Sequence, residues 1–107
     1  MSVWFISRHP GALAWARSQG LAVDHWVAHL EVSEVASGDV VIGTLPVQMA
    51  ATVCARGGRY FNLSLDLPLE WRGRELSVAE LTEIKARLEE FAVHKCGDDF
   101  SILKQGY

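Results

Sequence analysis

Neither glycine signature of common phosphate-binding loops occurs in this chain. There is no G-x-x-x-x-G-K-[ST] and no G-x-G-x-x-G, so a P-loop nucleotidase and a dinucleotide enzyme are both unsupported. Cysteine is scarce. Cys54 and Cys96 stand far apart with no C-x-x-C spacing, which fits reduced thiols better than a disulfide framework. Positive charge is also short, at 10 Lys and Arg against 13 Asp and Glu, a net charge of −3. Wrapping long DNA or RNA needs a broad basic face, which this balance argues against. A short, cyclic or mononucleotide ligand held by a few cations stays open. No uninterrupted apolar span is long enough for a bilayer, and no basic segment precedes the first apolar run as in a signal peptide. The chain is expected to be cytoplasmic and off the membrane. Internal repeats, low-complexity stretches and linkers are absent.

What remains is 107 residues, half of them hydrophobic, read as one domain over 1–107. A chain this short has little surface for a separate substrate domain. If its site needs a deep cleft, a second copy is the economical source of the other wall, so a homodimer is expected.

The most telling stretch is Val3-Trp4-Phe5-Ile6-Ser7-Arg8-His9-Pro10-Gly11-Ala12. An apolar run stops at Ser-Arg-His, and Pro-Gly opens a helical segment. Val3–Ile6 reads as a buried strand and Ala12–Gln19 as a helix stopped by Gly20. Asp24–Leu30 reads as a second strand, with His25, Val27 and His29 on one face. Glu31–Asp39 is a polar connection with room for a helical turn, and Val40–Gly43 is another buried strand. Gly43-Thr44-Leu45-Pro46 then repeats the opening logic before a helix over Val47–Ala55. Tyr60–Leu65 alternates as a fourth strand, and Leu67–Glu75 is a loop. Ser77 and Glu80 form a capping box, after which Leu81, Ile84, Leu88 and Phe91 give the apolar stripe of a long last helix. Phe100–Leu103 reads as a short final strand.

Strands alternating with helices imply an α/β, mainly parallel sheet flanked by helices, a small Rossmann-like fold. In such sheets ligands bind at the carboxyl ends of the strands. That edge collects Ser7, Arg8, His9, His29, Thr44, Ser64 and Asp66.

Each of these has a structural and a chemical reading. Arg8 is a planar, permanent cation suited to bidentate phosphate contact, or a surface arginine paired with a carboxylate. His9 is a candidate general acid or base, or a side chain bonded to backbone. Ser7 and Thr44 offer hydroxyls to phosphate, or cap helices. The helix that Pro10 and Gly11 open presents N–H groups to an anion, and Gly43 lies at the matching turn. Asp66 and Ser64 are candidates for ribose or base; Asp66 is equally a turn residue before Leu67-Pro68. His29 lies nearer the pocket than His25, for which a structural role is preferred. With no H-x-x-x-H helix and no paired cysteines, no metal and no cofactor are expected. Trp71 with Arg72 and Arg74 reads as a base-stacking and phosphate-meeting group, or as a loop packing its tryptophan on the core.

Arg8-His9 after a strand is similar to the Arg-His-Gly signature of histidine phosphatases, although Pro10 stands where that family has glycine. A fuller resemblance is carried by Ser7-Arg8-His9-Pro10-Gly11-Ala12, Val23-Asp24-His25, Ala28-His29-Leu30, Gly43-Thr44-Leu45-Pro46 and Leu63-Ser64-Leu65-Asp66-Leu67-Pro68, with Arg72-Gly73-Arg74-Glu75-Leu76 after it. From about Val3 to about Phe91 the chain resembles a small family of CRISPR-associated Csx accessory proteins encoded beside type III systems. The tail after His94 takes no part in the likeness. The resemblance implies a CARF-like, usually dimeric ring nuclease that binds cyclic oligoadenylate, for this subgroup cyclic tetra-adenylate, and linearises it to switch off antiviral signalling. Cleavage by the ligand's own ribose 2′-hydroxyl needs no metal. Under that reading Arg8 meets transition-state charge, His9 is acid/base or phosphate contact, and Ser7 and Thr44 position phosphate. A protein that sequesters the messenger without cutting it is the first alternative, and a phosphomonoesterase of the histidine-phosphatase type is the second.

Overall fold

The computed structural model describes residues 1–104; the last three residues of the expected tail, 105–107, lie outside the described residues. Five strands form one sheet in the order β2-β1-β3-β4-β5, with β1 Val3–Ile6, β2 His25–Val27, β3 Val40–Gly43, β4 Arg59–Ser64 and β5 Arg87–Phe91. The first four are parallel, and β5 runs antiparallel to β4. Three helices flank them: α1 Pro10–Ser18, α2 Val47–Ala55 and α3 Val78–Glu83. The α/β Rossmann-like expectation agrees with this architecture.

Strand alternation sorts the core into two layers, since successive side chains of a strand point to opposite faces. Phe5, Ile42 and Leu63 face α1 and α3, where Ala12, Trp15, Ala16, Leu81 and Ile84 complete one cluster. Trp4, Val41 and Tyr60 face α2, where they meet Ala50 and Val53. In α1 the buried positions 12, 15 and 16 follow the i, i+3, i+4 spacing of one helical face.

Asp39 pins the amino end of this sheet. It is only 4% exposed, yet its carboxylate accepts from Ser2 N at 2.8 Å, Ala36 N at 2.9 Å and the Trp4 indole Nε1 at 3.2 Å. Those bonds, the Ala36 amide first, hold its pKa below the ordinary carboxylate value against the opposing effect of burial.

Several expected boundaries need correction. The strand read over Asp24–Leu30 is confined to His25–Val27, and His29 lies beyond it. The polar connection does hold one helical turn, Val32–Glu34. The long last helix does not form. Its capping box is present, with Glu80 N donating to Ser77 Oγ at 3.2 Å and Ser77 N to Glu80 Oε1 at 3.1 Å. The helix then ends after six residues. Lys85 adopts a left-handed φ of 58°, Ala86 N bonds Leu81 O and Lys85 N bonds Thr82 O, the two bonds of a Schellman stop. Leu88 and Phe91 therefore lie in β5, not on a helical stripe. Phe100–Leu103 is likewise a single helical turn, Ser101–Leu103, with Phe100, Ile102 and Leu103 exposed. No helix among the described residues is long and apolar enough to cross a membrane.

Candidate functional site

In the strand order 2-1-3-4, the chain leaves β1 and β3 in opposite directions, and the crevice outside their carboxyl ends is where open α/β sheets bind ligands. Here α1 follows β1 onto one face and α2 follows β3 onto the other. A cavity of about 680 Å³ occupies that crevice. Its floor is largely aliphatic, including Ile6, Leu63 and Leu65, and its rim carries Ser7, Arg8, His9, His29, Gly43 and Thr44. Arg74 and Glu75 enter from the loop between β4 and α3.

The β1 rim is built by a tight turn. Ser7 N donates to Val27 O at 3.0 Å, and Ser7 Oγ accepts from His9 N at 3.1 Å. The Ser7 hydroxyl thus serves as an acceptor in the turn, while its own proton remains available to a ligand. Arg8 is exposed and makes no ion pair with any described residue, which sets aside its reading as a carboxylate partner among the described residues. His9 is the N-cap residue of α1 and supplies no side-chain cap, and Pro10 follows as the first helical residue. Pro10 brings no N–H to this site.

The β3 rim is braced from below. Gly43 is buried against β1, and a Cβ there would stand 2.8 Å from Ile6 O, so only glycine permits this approach. Thr44 Oγ1 donates to Leu63 O at 3.1 Å. Its one hydroxyl proton is therefore committed, and it meets a ligand as an acceptor, not as the phosphate donor expected from the sequence. Neither Ser7 nor Thr44 caps a helix; α2 begins behind Pro46 with no side-chain cap. Tyr60, 3% exposed, ties this loop down. Its hydroxyl accepts from Leu45 N at 3.0 Å and lies 3.2 Å from Gly43 O and 2.5 Å from Asn62 Oδ1, either of which can accept its proton. Burial raises the phenol pKa, so Tyr60 stays protonated and able to donate.

Four expected site positions do not line the cavity. Ser64 Oγ accepts from Asn62 Nδ2 at 2.9 Å and extends the Tyr60 network. Asp66 pairs with Arg87 at 3.1 Å. Pro10 lies outside the cavity wall, and Gly11 lies beneath the Arg74–Leu76 segment: a Cβ on Gly11 would fall 1.8 Å from Leu76 O. Gly11 is a packing glycine, required because loop backbone rests directly on the helix. His25 stacks on Trp4 with centroids 4.1 Å apart, the structural role preferred for it. Among the described residues no group of three or more His, Cys, Asp or Glu is placed to hold a metal ion.

The residue that sequence reading passed over is Glu75. Only the fold brings the β4–α3 loop back over the start of α1. Its Arg72-Gly73-Arg74 surroundings were the signal available. Gly73 has a left-handed φ of 80°, and Trp71 packs at the edge of the α1-side cluster.

A comparison with protein families matches residues 4–94 to the family described as "Putative CRISPR-associated protein (Cas_VVA1548)". The chain belongs to this CRISPR-associated family. Neither the curated proteins nor the solved structures returned a match. The family assignment runs from Trp4 in β1 through β5 and covers every cavity residue named above. In this CRISPR-associated protein, a cleft between strand ends lined by Arg8, Arg74, His9 and His29 against one carboxylate, Glu75, and otherwise mostly aliphatic, suits an anionic ligand with large apolar or aromatic parts.

Proposed function

We propose that this protein is a ring nuclease that binds and cleaves cyclic tetra-adenylate, ending the antiviral signal of a type III CRISPR system. The observation that carries this reading is the meeting of Ser7, Arg8 and His9 with Gly43 and Thr44 around one crevice at the β1/β3 switch point. Family membership in CRISPR defence supplies the biological setting.

The chemistry follows from the parts. A ribose 2′-hydroxyl attacks the adjacent phosphorus, the bond to the 5′-oxygen breaks, and a 2′,3′-cyclic phosphate end remains. His9 takes the 2′-hydroxyl proton and later returns it to solvent, and a solvent water supplies the proton that the departing 5′-oxygen receives, so the ring opens without a metal or cofactor. Arg8 meets the negative charge building on the non-bridging oxygens. The Ser7 hydroxyl donates to the same phosphate, and Thr44 accepts from a ribose hydroxyl or an adenine amine. Holding hydroxyl, phosphorus and leaving oxygen in line is the larger part of such catalysis. A two-fold homodimer would present two copies of the rim to a ligand of repeating symmetry.

Incubation with cyclic tetra-adenylate, with and without chelator, followed by resolution of the products tests this. Expected products are linear adenylates with cyclic-phosphate ends in both arms. A ring left intact at enzyme excess overturns the catalytic reading, and tight binding without turnover establishes the sequestering alternative. Arg8→Ala is expected to lower turnover by about 10²–10³-fold, the scale of losing a charge-stabilising donor. His9→Ala should cost about 10²–10⁴-fold; full activity in His9→Ala would remove the acid/base role and leave the pocket standing.

A further inference from the structure

Arg74 belongs to the Gly73–Leu76 segment that lines the same cavity, remote in sequence from Arg8. Two neighbours fix it. Its Nη2 donates to Glu80 Oε2 at 2.5 Å, and its guanidinium carbon stands 4.6 Å over the centroid of Trp71. Glu80 is itself immobilised, because its other oxygen accepts from Ser77 N in the capping box. The bracket Ser77–Glu80–Arg74–Trp71 thus ties the start of α3 to a cation carried on the segment that lines the cavity.

Stability alone does not account for this bracket. The ion pair is half exposed, at 47% and 29% of the two side chains, and such pairs contribute little to folding. A guanidinium has five N–H donors in a fixed plane, and Glu80 engages one nitrogen. The donors left over are held in orientation by the stacking on Trp71, which spares a ligand the entropy of ordering a long side chain.

We infer that Arg74 is a second ligand-binding cation, one that contacts a phosphodiester other than the one Arg8 engages. Glu80 and Trp71 are its positioning residues. Two guanidiniums on separate segments around one cavity select a ligand with at least two phosphates over a mononucleotide. This assignment rests on the cyclic oligoadenylate reading above and identifies a specificity determinant within it.

Steady-state kinetics and equilibrium binding with cyclic tetra-adenylate test it. Arg74→Ala is expected to raise KM and Kd by about tenfold or more, as for loss of a charge-assisted hydrogen bond, with kcat changed less than about threefold. Arg74→Lys should restore part of the affinity, since the charge remains without the fork. The plot of log affinity against log salt should become shallower in Arg74→Ala, because one charged contact to phosphate is lost. Glu80→Gln keeps a capping-box acceptor, so its melting temperature should hold while KM rises. Its salt slope should stay that of the unaltered protein. Unaltered KM, Kd and salt slope in Arg74→Ala, alongside normal binding by the unaltered protein, overturn this inference alone. Failure of the unaltered protein to bind the ring overturns it together with the reading on which it rests. A fall in kcat at unchanged KM would also overturn it, because it would place Arg74 in the chemical step.

Discussion

Replacing Gly11 by alanine is the substitution on which local and tertiary effects oppose each other most sharply. Gly11 is the second residue of α1, and a helix gains about 0.5–1 kcal/mol when alanine replaces glycine in its interior. Against this, the new Cβ would lie 1.8 Å from the carbonyl oxygen of Leu76, with Leu76 C at 3.0 Å and Leu81 Cδ1 at 3.8 Å. The nearest atom is backbone, so no rotamer change relieves the clash; α1 and the Arg74–Leu76 segment must part by more than 1 Å. Overpacking costs about 1–3 kcal/mol, and a clash with backbone that no rotamer relieves belongs to the upper part of that range, about 2–3 kcal/mol, above the helical gain. The net loss of about 1–2.5 kcal/mol corresponds to a melting temperature lower by about 4–20 °C for a domain of this size. Thermal unfolding followed by circular dichroism reads it directly. Ligand affinity should fall as well, because the displaced segment carries Arg74 and Glu75 into the cavity wall. A Gly11→Ala protein that melts at or above the unaltered one would show that the loop does not rest on α1 as described.

Two further predictions concern the buried polar groups. Asp39 has a folded pKa below its unfolded value, so its contribution is complete above the unfolded carboxylate range and is lost as pH falls through the folded value. Asp39→Asn should therefore lower stability by about 1.5–3 kcal/mol near neutrality and flatten the acid limb of urea-midpoint-against-pH curves; an unchanged acid limb would refute the assignment. Tyr60→Phe removes the partner of Leu45 N and leaves that donor unsatisfied under α2, a loss of about 1–3 kcal/mol. It should also loosen the Thr44–Leu45 rim and weaken ring binding, measured by denaturant titration and by calorimetry; equal denaturation midpoints would contradict the bracing role.

The parallel half of the fold was legible because its punctuation is chemical. Short β-branched runs end at Ser7 and Gly43, and a proline stands at each following helix start, so β1, β3, α1 and α2 could be placed with small errors at their ends. The α3–β5 region was not legible for an equally physical reason. Its helix ends on Lys85 in a left-handed conformation that glycine normally marks, and Leu81, Ile84, Leu88 and Phe91 match helical spacing although only the first two pack in that manner. The register of β5 decides what Asp66 does, since it sets Arg87 beside it; no local pattern at Asp66 reveals that pairing. The same holds for Gly11 and Glu75, whose surroundings come from the return of a distant loop.

Each helix of the parallel half carries the chain from one edge of the sheet back to the other, and the turns at the two edges have separate duties. Gln19–Asp24 and Arg56–Gly58 lie at the amino edge, a strand length from the cavity, and Gly20 has no neighbour within 4 Å of where a side chain would be built. Exposed Gln19, rather than Gly20 with its left-handed φ of 70°, is thus the place to attach a fluorophore, an affinity tag or a surface tether. An instrument coupled there would report on the opposite mouth while leaving it free to admit its ligand.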